Sequence, residues 1–376
     1  MDQPLRIAIV GALGKGWTHA RALQGLRGAT LSAVVDRAPE ANQVAVELDV
    51  PFYNSVDAML KAKIADAVVC AVPHPAHRAV EVPCLEAGLH VLSEKPLAAT
   101  PSDAKAIVDA AQRNRRVLAV MYQYRQKPAI RKAKQLIEEG LVGDWYYGAM
   151  HHGINRSQAY YDARTWRGTW AGEGGGVLVN QAPHPIDVMM HLVGRFPKRV
   201  IAFNNRLRHR MNTEDISTAA LEYENGAQIT MHADTIQLPI SEWWTLHGNN
   251  GTLRLEGNEI TVQRLDPDLS TAIHHAAGTT KPSPADVRTC VYSGQGEDRK
   301  HAGVMQDFVD AILLGRAPQV GGQWALRCVE LHAAIISSAA TGRAMDLPID
   351  HAAYDALLEE LKAQEKFGAR KEHCMA

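Results

Sequence analysis

The chain has 376 residues, of which 46% are hydrophobic and 22% charged, and its formal net charge is −1, which is the composition of an ordinary globular protein. This length exceeds what one hydrophobic core normally supports, so it predicts two domains. The nearly balanced charge gives no electrostatic reason to expect nucleic acid or a membrane surface as a partner, and no apolar run approaches the ~18–20 residues that a membrane span needs.

The first 123 residues alternate short apolar runs with helical patterns. Strands are predicted at 5–11, 30–36, 66–73, 90–96 and 117–124, and helices at 19–26, 57–63, 76–87 and 102–114. Buried-type strands joined through helices by short connections are typical of βαβ units. We therefore predict an α/β domain with a doubly wound parallel sheet over residues 1–123.

The pattern changes after residue 124. A helix predicted over 127–140 is followed by strands with alternating apolar and polar residues, clearest at 199–207, 217–234 and 243–265. The turns ENGA and GNNGT inside the last two segments indicate hairpins. Two further helices are predicted at 301–315 and 323–342. We expect an α+β domain with a mainly antiparallel sheet over 124–350.

Two segments lack these patterns. Residues 266–300 are rich in Pro, Ser and Thr and are predicted to form a long loop. Residues 351–376 are predicted to form a C-terminal helix and a polar tail, which we expect to be disordered after Glu365.

The stretch GALGKGWTH follows the first strand and opens the first helix. Gly11 and Gly16 match the first and third glycines of the G-x-G-x-x-G pattern, whereas Leu13 occupies the second position and Gly14 lies beside it. Such a loop allows a tight turn, and the helix N-terminus after it can bind a pyrophosphate. An ordinary strand–helix turn is the alternative interpretation.

Asp36 ends the second strand about 20 residues beyond this loop, where a carboxylate can accept hydrogen bonds from ribose hydroxyls. A carboxylate there repels a 2′-phosphate, so NAD is predicted in preference to NADP, although Arg37 beside it weakens that preference. Alternatively, Asp36 only caps the end of the strand.

Motifs along nearly the whole chain, to about residue 348, resemble those of the glucose–fructose oxidoreductase and inositol dehydrogenase family, Gfo/Idh/MocA. They are the glycine-rich loop with His19, Asp36, Pro73 with His77, the segment AGLHVLSEKPLA at 87–98, Arg125 with Pro128, Trp166 with Arg167, and GGGVLVNQAPHPID at 174–187.

The resemblance implies a Rossmann domain that binds a nicotinamide cofactor, and a second domain whose large open sheet makes a homodimer or homotetramer contact. It implies oxidation or reduction of a secondary alcohol on a sugar or cyclitol, with Lys95 and His184 as catalytic residues. It also implies cofactor contacts from Pro73, His77, Glu94 and Lys95 itself.

Lys95 lies at the carboxyl end of a predicted parallel strand, the edge where ligands of doubly wound sheets bind. Pro96 keeps Lys95 out of the helical conformation, so the strand must end there. An ammonium at this edge can hydrogen-bond the reacting oxygen and stabilise its alkoxide character. A solvated lysine at a strand end is the alternative.

His184 lies between two prolines, which a helix tolerates only in its first turn. We therefore predict a helix that begins near 181–183, with Asn180 just before it or at its cap. A helix N-terminus disfavours an imidazolium, and a neutral imidazole is what accepting a proton from an alcohol requires. A histidine of the core is the alternative, and Asp187 either orients the ring or only decorates the helix.

Asn180 is a departure from the family, many of whose members have aspartate there. Since an amide cannot take up a proton, Asn180 is predicted only to position the substrate by hydrogen bonds.

Further substrate contacts are predicted from two places, the end of the sixth strand and the aromatic-rich segment 151–170. They are Gln123, Arg125, His152, Tyr161, Trp166 and Arg167. Aromatic-rich loops often only pack, which is the alternative. His151 and His152 are adjacent and have no carboxylate at ligand spacing, so no metal site is expected.

Five scattered cysteines without C-x-x-C spacing indicate reduced thiols, and the N-terminus shows no signal-peptide pattern, so we expect a cytoplasmic protein.

Together these features predict an NAD-dependent dehydrogenase that oxidises a ring hydroxyl of a sugar, glycoside, anhydrosugar or cyclitol. The combination WRGTWAGEGGGVLVNQ at 166–181 resembles members that oxidise position 3 of glycosides or of anhydrosugars such as levoglucosan. Two alternatives remain: a glycosidase that uses NAD as a transient oxidant, and a nucleotide-sensing regulator resembling the family's non-catalytic galactose-pathway repressor.

Overall fold

The computed structural model describes residues 3–275 and 287–366. Its first sheet has six parallel strands in the order β3-β2-β1-β4-β5-β6. These strands are β1 (Leu5–Val10), β2 (Ala29–Val35), β3 (Phe52–Tyr53), β4 (Ala67–Cys70), β5 (His90–Ser93) and β6 (Leu118–Val120). The order is that of a Rossmann fold, so the predicted α/β class is confirmed.

Helices cover both faces of this sheet. They are α1 (Lys15–Leu23), α2 (Asn42–Glu47), α3 (Val56–Ala62), α4 (His77–Glu86) and α5 (Pro101–Arg113). Alternate residues of β1 explain the two layers, because Ile7 and Ile9 pack with α1 whereas Ala8 and Val10 pack with α3, α4 and α5. The sheet is therefore doubly wound.

The second sheet has nine strands in the order β14-β13-β12-β11-β7-β10-β9-β8-β15. They are β7 (Trp145–Asn155), β8 (Arg199–Asn205), β9 (Ile216–Glu222), β10 (Gln228–Asp234), β11 (Ile236–Gly248), β12 (Gly251–Glu256), β13 (Glu259–Leu265), β14 (Val287–Ser293) and β15 (Met345–Asp346). Only β7 and β10 pair in parallel, so the predicted mainly antiparallel sheet is confirmed.

The remaining helices pack mostly on one face of this sheet. They are α6 (Pro128–Glu138), α7 (Gln158–Asp162), α8 (Trp170–Glu173), α9 (Val177–Asn180), α10 (Pro183–Val193), α11 (Leu269–His275), α12 (Lys300–Leu314), α13 (Gly322–Thr341) and α14 (His351–Ala363). Helix α10 is buried over nearly its whole length against the sheet, which explains its near-continuous apolar sequence.

Helices α12 and α13 also return to the Rossmann sheet. Phe308 of α12 packs with Ile9 of β1, and Cys328 of α13 packs with Val120 of β6. The C-terminal helices thereby join the two sheets, and the division of the chain after residue 123 stays a prediction.

Three sequence predictions of local structure were wrong. Residues 266–300 contain α11 and the edge strand β14. The segment 151–155 completes β7, because its backbone pairs with β10 on one side and β11 on the other. Helix α1 begins at Lys15, four residues before the predicted start. The predicted disordered tail after Glu365 falls almost entirely on 367–376, outside the described residues, as do 276–286.

Among the helices of the described ranges, none is long and apolar enough to cross a membrane.

Candidate active site

The glycine-rich loop between β1 and α1 leaves no room for side chains at two positions. A Cβ atom on Gly11, whose φ is +84°, would lie 2.6 Å from the oxygen of Ala71, and one on Gly16 would lie 1.8 Å from the oxygen of Gly11. Leu13 points outward. Gly14 precedes α1, and no side chain in the described ranges caps this helix. Its first N–H groups are therefore oriented to bind an anion such as a pyrophosphate.

Asp36 lies beside this loop, directly after β2. Its Oδ2 accepts a hydrogen bond from the amide of Ala12 at 2.8 Å, and its Oδ1 accepts one from the amide of Ala38 at 2.9 Å. The carboxylate is thus held next to the loop and stays partly exposed, while Arg37 is exposed beside it. This arrangement fits a dinucleotide whose ribose hydroxyls donate to Asp36.

His77 lies behind the cofactor edge, and its predicted cofactor contact has no support in this geometry. The ring is completely buried, with Nδ1 2.9 Å from Ser93 Oγ and Nε2 3.1 Å from the oxygen of Val72. His77, Cys70 and Glu81 also form a buried group of three side chains with metal-ligand atoms. Pro73, by contrast, is exposed at the carboxyl edge after β4.

Glu94 and Lys95 follow β5 at the carboxyl edge of the parallel sheet. Glu94 Oε1 lies 2.6 Å from His19 Nε2. Burial opposes ionisation of Glu94, but the hydrogen bond and charge of His19 outweigh it and lower the pKa of Glu94 to about 2. Burial lowers the pKa of Lys95, and the carboxylates of Glu94 and Glu173 oppose this shift.

His184 lies in the first turn of α10, which begins at Pro183 as predicted. Its ring stacks on Tyr124, with centroids 4.8 Å apart, and meets the edge of Tyr122 at 5.9 Å. Burial and then the charge of Lys95 lower the pKa of His184 well below its usual value. Its Nδ1 has no hydrogen-bond partner in the part of the chain that the structure describes. His184 is therefore a neutral imidazole with a ring nitrogen left unpaired.

Asn180 is the last residue of α9 and forms hydrogen bonds with both Lys95 and the carboxylate of Glu173. Its main-chain oxygen accepts a 2.6 Å hydrogen bond from Lys95 Nζ. Its side-chain Nδ2 donates to Glu173 Oε1 and, at 3.4 Å, to the hydroxyl of Tyr160. Asn180 lies two residues before Ala182, the N-cap of α10.

Arg125 forms a buried ion pair with Asp187, so its predicted substrate contact has no support in this geometry. Its Nε and Nη2 donate to the two oxygens of Asp187 at 2.8 and 2.6 Å, and Trp324 Nε1 donates to Asp187 at 2.8 Å. Both predictions for Asp187 were wrong, because this fully buried carboxylate neither orients His184 nor faces solvent.

The other predicted substrate residues separate into two groups. His152 and Tyr161 are buried, with His152 Nδ1 2.7 Å from Glu242 and the hydroxyl of Tyr161 3.1 Å from Thr235. Trp166 and Arg167 are partly exposed.

Arg167 and Trp166 contribute to an aromatic wall beside Asn180. The guanidinium of Arg167 lies 4.0 Å from the centroid of the Tyr160 ring, and Trp166 contacts His74 at 6.4 Å between centroids. Gln123 is half-buried in the short 3-10 helix after β6.

Sequence reasoning missed Glu173 and Tyr124. Glu173 directly precedes the glycine triplet, and its carboxylate is 1% exposed. The signal that could have indicated Glu173 is its place, as a charged residue, directly before three glycines. Tyr124 was read only as the end of a strand, and nothing in its spacing pointed to His184.

Two family models match the chain. An oxidoreductase family with an NAD-binding Rossmann fold matches residues 5–122, and the Gfo/Idh/MocA C-terminal domain matches residues 130–254. The fold and the site thus define an NAD(P)-dependent oxidoreductase. The chain belongs to the Gfo/Idh/MocA family, as its motifs indicated.

Relatives cover nearly the whole chain. The D-apiose dehydrogenase of Paraburkholderia graminis is 24% identical over 344 residues, which are 90% of this chain and 89% of that protein. The WlbA dehydrogenase of Bordetella pertussis, solved with NADH and UDP-GlcNAcA, is 28% identical with a TM-score of 0.77, covering 93% of this chain and 100% of that one. A levoglucosan dehydrogenase solved with NADH shares the fold, with a TM-score of 0.80 at 21% identity over 93% of this chain and 100% of that one.

Proposed function

We propose that this protein is an NAD-dependent dehydrogenase that oxidises a secondary ring hydroxyl of a sugar or a closely related compound to a ketone. The observation that carries the proposal is the meeting of an ammonium and a neutral imidazole at the carboxyl edge of the Rossmann sheet. Lys95 comes from the end of β5 and His184 from the start of α10, and the charge of Lys95 acts directly on His184.

The two groups suit the two proton-handling tasks of alcohol oxidation. Bound NAD supplies the acceptor for the hydride. Lys95 donates a hydrogen bond to the reacting oxygen and stabilises negative charge there. His184 is neutral, so its ring can accept the hydroxyl proton. Asn180 holds the Lys95 ammonium in place through its carbonyl.

The names of the relatives support a carbohydrate substrate. One acts on D-apiose, one was solved with a nucleotide-linked sugar acid, and one acts on levoglucosan. The polar and aromatic wall formed by Tyr160, Trp166 and Arg167 fits a sugar, because rings stack on its apolar face and polar groups bind its hydroxyls. We propose a glycoside or anhydrosugar, oxidised at position 3, as the particular substrate.

An oligomer through the nine-stranded sheet is part of this proposal. Ile201 and Phe203 of β8 are 45% and 75% exposed on the sheet face opposite the helices. Pairing of two such faces would bury them, which is what a homodimer or homotetramer interface requires.

The test is NADH absorbance after mixing the purified protein and NAD with glucosides, levoglucosan, glucose, xylose and myo-inositol, one at a time. We expect a rise with one of them, and no rise in the Lys95→Met and His184→Ala variants. Release of an aglycone without net NADH would replace the proposal with a redox-neutral glycosidase. NAD binding without either reaction would favour a nucleotide-sensing regulator.

A further inference from the structure

Glu173 is a buried carboxylate that contacts Asn180, the residue whose carbonyl binds the Lys95 ammonium. It ends α8, and its Oε1 accepts a hydrogen bond from Asn180 Nδ2. Its Oε2 accepts a 2.5 Å hydrogen bond from the amide of Gly168. Both oxygens are therefore held, one of them by the residue whose carbonyl binds the Lys95 ammonium.

Titratable groups from several elements surround this carboxylate. Lys95 and Arg167 are the cations that act on it. The charge of Glu173 contributes to the raised pKa of Tyr161 in α7. His74 donates a hydrogen bond to the main-chain oxygen of Glu173 at 3.1 Å. Helix α14 also packs on α8, but Glu365 beyond its end binds the amide of Ala171 and not Glu173.

Glu94, the other carboxylate near Lys95, is already engaged. Its Oε1 is bound to His19 and its Oε2 accepts the amide of Lys95 at 3.1 Å. Among the described residues, the hydrogen-bond partners of Glu173 are an amide side chain and a main-chain amide, and neither is charged. Both carboxylates help to keep the Lys95 ammonium protonated, Glu94 more strongly than Glu173.

We propose that Glu173 is a positioning residue for Lys95: it orients Asn180, whose carbonyl binds the ammonium, and its negative charge adds to that of Glu94 in stabilising the ammonium. This inference rests on the proposed function, since it assigns Lys95 a second counter-charge in that reaction.

The protonation state of Glu173 makes its effect on Lys95 dependent on pH. Burial raises the pKa of Glu173 to about 7, while its bonds to Gly168 and Asn180 and the charge of Lys95 oppose the rise. Below this pH the carboxyl is neutral and withdraws its support from the ammonium. Above it the carboxylate restores that support. Lys95 should therefore release its proton in two stages and not along a single titration curve.

The reactivity of Lys95 tests this without any substrate. The rate at which an amine-reactive reagent labels Lys95 is measured by mass spectrometry between pH 6 and pH 10, in the wild-type protein with NAD bound. We expect a wild-type curve with a deviation near pH 7. In Glu173→Gln the deviation should vanish and labelling at pH 8 should be at least threefold faster, because the ammonium loses this counter-charge.

Two variants separate this role from simple support of the fold. Glu173→Asp retains the charge and should restore slow labelling. Glu214→Gln is the matched control, since Glu214 is also buried and binds the amides of Gly176 and Leu178 in the adjoining loop, and burial raises its pKa to about 7 as well. It should lower thermal stability and leave the labelling curve unchanged.

A wild-type curve with a single titration, or a Glu173→Gln curve that matches the wild type, would overturn the inference. These outcomes do not depend on turnover. Failure of every substrate to produce NADH would count against the proposed function while the labelling result on Glu173 still stood.

Discussion

Lys95 donates its ammonium hydrogen bond to the main-chain oxygen of Asn180, at 2.6 Å, and not to its side chain. The side chain of Asn180 is directed instead to Glu173 and Tyr160. A substitution of Asn180 therefore leaves the contact to Lys95 in place, and the contributions of the two residues can be measured separately.

Replacement of Lys95 should remove most of the activity. Lys95→Met retains the length of the side chain but no donor, so we expect kcat/KM to fall by about 10²–10⁴-fold. Asn180→Ala should lower it by only about tenfold, since the main-chain contact to Lys95 remains and only hydrogen bonds of the side chain are lost. Steady-state kinetics measure both losses. Equal losses in the two variants would contradict this division of roles.

Arg125 should prove structural. Arg125→Met leaves the completely buried Asp187 without its cation, so the free energy of unfolding should fall by about 3–5 kcal/mol. Urea denaturation measures the loss. The control is Arg125→Met combined with Asp187→Leu, which removes both charges and should recover much of the stability. A large rise in KM with unchanged stability would instead restore the predicted substrate contact.

Asp36 should determine the choice of cofactor. Asp36→Ser removes the charge that repels a 2′-phosphate, so the ratio of kcat/KM for NADP to that for NAD should rise about tenfold or more. Arg37→Ala serves as the control and should shift the ratio in the opposite direction or not at all. An unchanged ratio in Asp36→Ser would mean that the carboxylate only fastens the loop through Ala12 and Ala38.

Gly16 should tolerate no side chain. In Gly16→Ala the new Cβ would lie 1.8 Å from the oxygen of Gly11, so the loop must move. We expect weaker NAD binding by calorimetry. Gly14→Ala is a useful comparison, because its Cβ would meet nothing within 4 Å, although its φ of +67° strains any side chain. Equal NAD affinities for Gly16→Ala and the wild type would contradict the close approach.

His332 should make the fold sensitive to acid. Burial and then the charge of Lys95 lower its pKa to about 3 in the folded chain, whereas an unfolded histidine titrates near 6.5. The unfolded chain therefore binds a proton first, and stability falls as the pH drops below about 6.5. In His332→Leu the loss of unfolding free energy between pH 7 and pH 5 should be smaller by about 2 kcal/mol.

Urea denaturation of both proteins at the two pH values measures this difference. Glu173 and Glu214, whose pKa values are raised, stabilise the fold in the opposite direction, below about pH 7, but they are present in both proteins and cancel. The same pH dependence in both proteins would contradict the assignment to His332.

Local signals in the sequence were sufficient for the architecture and for the positions of Lys95 and His184 in it. The βαβ alternation and the glycine-rich loop depend on backbone conformation and short spacings, so they predicted the parallel sheet and the place of Lys95 at its edge. The prolines around His184 likewise required a helix start, because only the first turn accommodates them.

Contacts between residues that are far apart in the chain could not be predicted from such local signals. Arg125 and Asp187 are 62 residues apart, and each looked like a surface or site residue until the fold brought them together in its interior. Strand β14 was mistaken for loop because it is an edge strand whose pairing with β13 supplies its order. Long-range packing decides whether a polar residue faces the substrate or forms a buried ion pair.

By itself, then, the sequence determined the Rossmann class, the tight glycine turn after β1, the place of Lys95 at a strand end and that of His184 in the first turn of a helix, because local conformational constraints specify each of them. Only the tertiary structure decided that Glu173 binds the side chain of Asn180, that Arg125 is paired with Asp187, and that His184 is held neutral mainly by burial. Burial and charge proximity belong to the packed chain, and no spacing in the sequence encodes them directly.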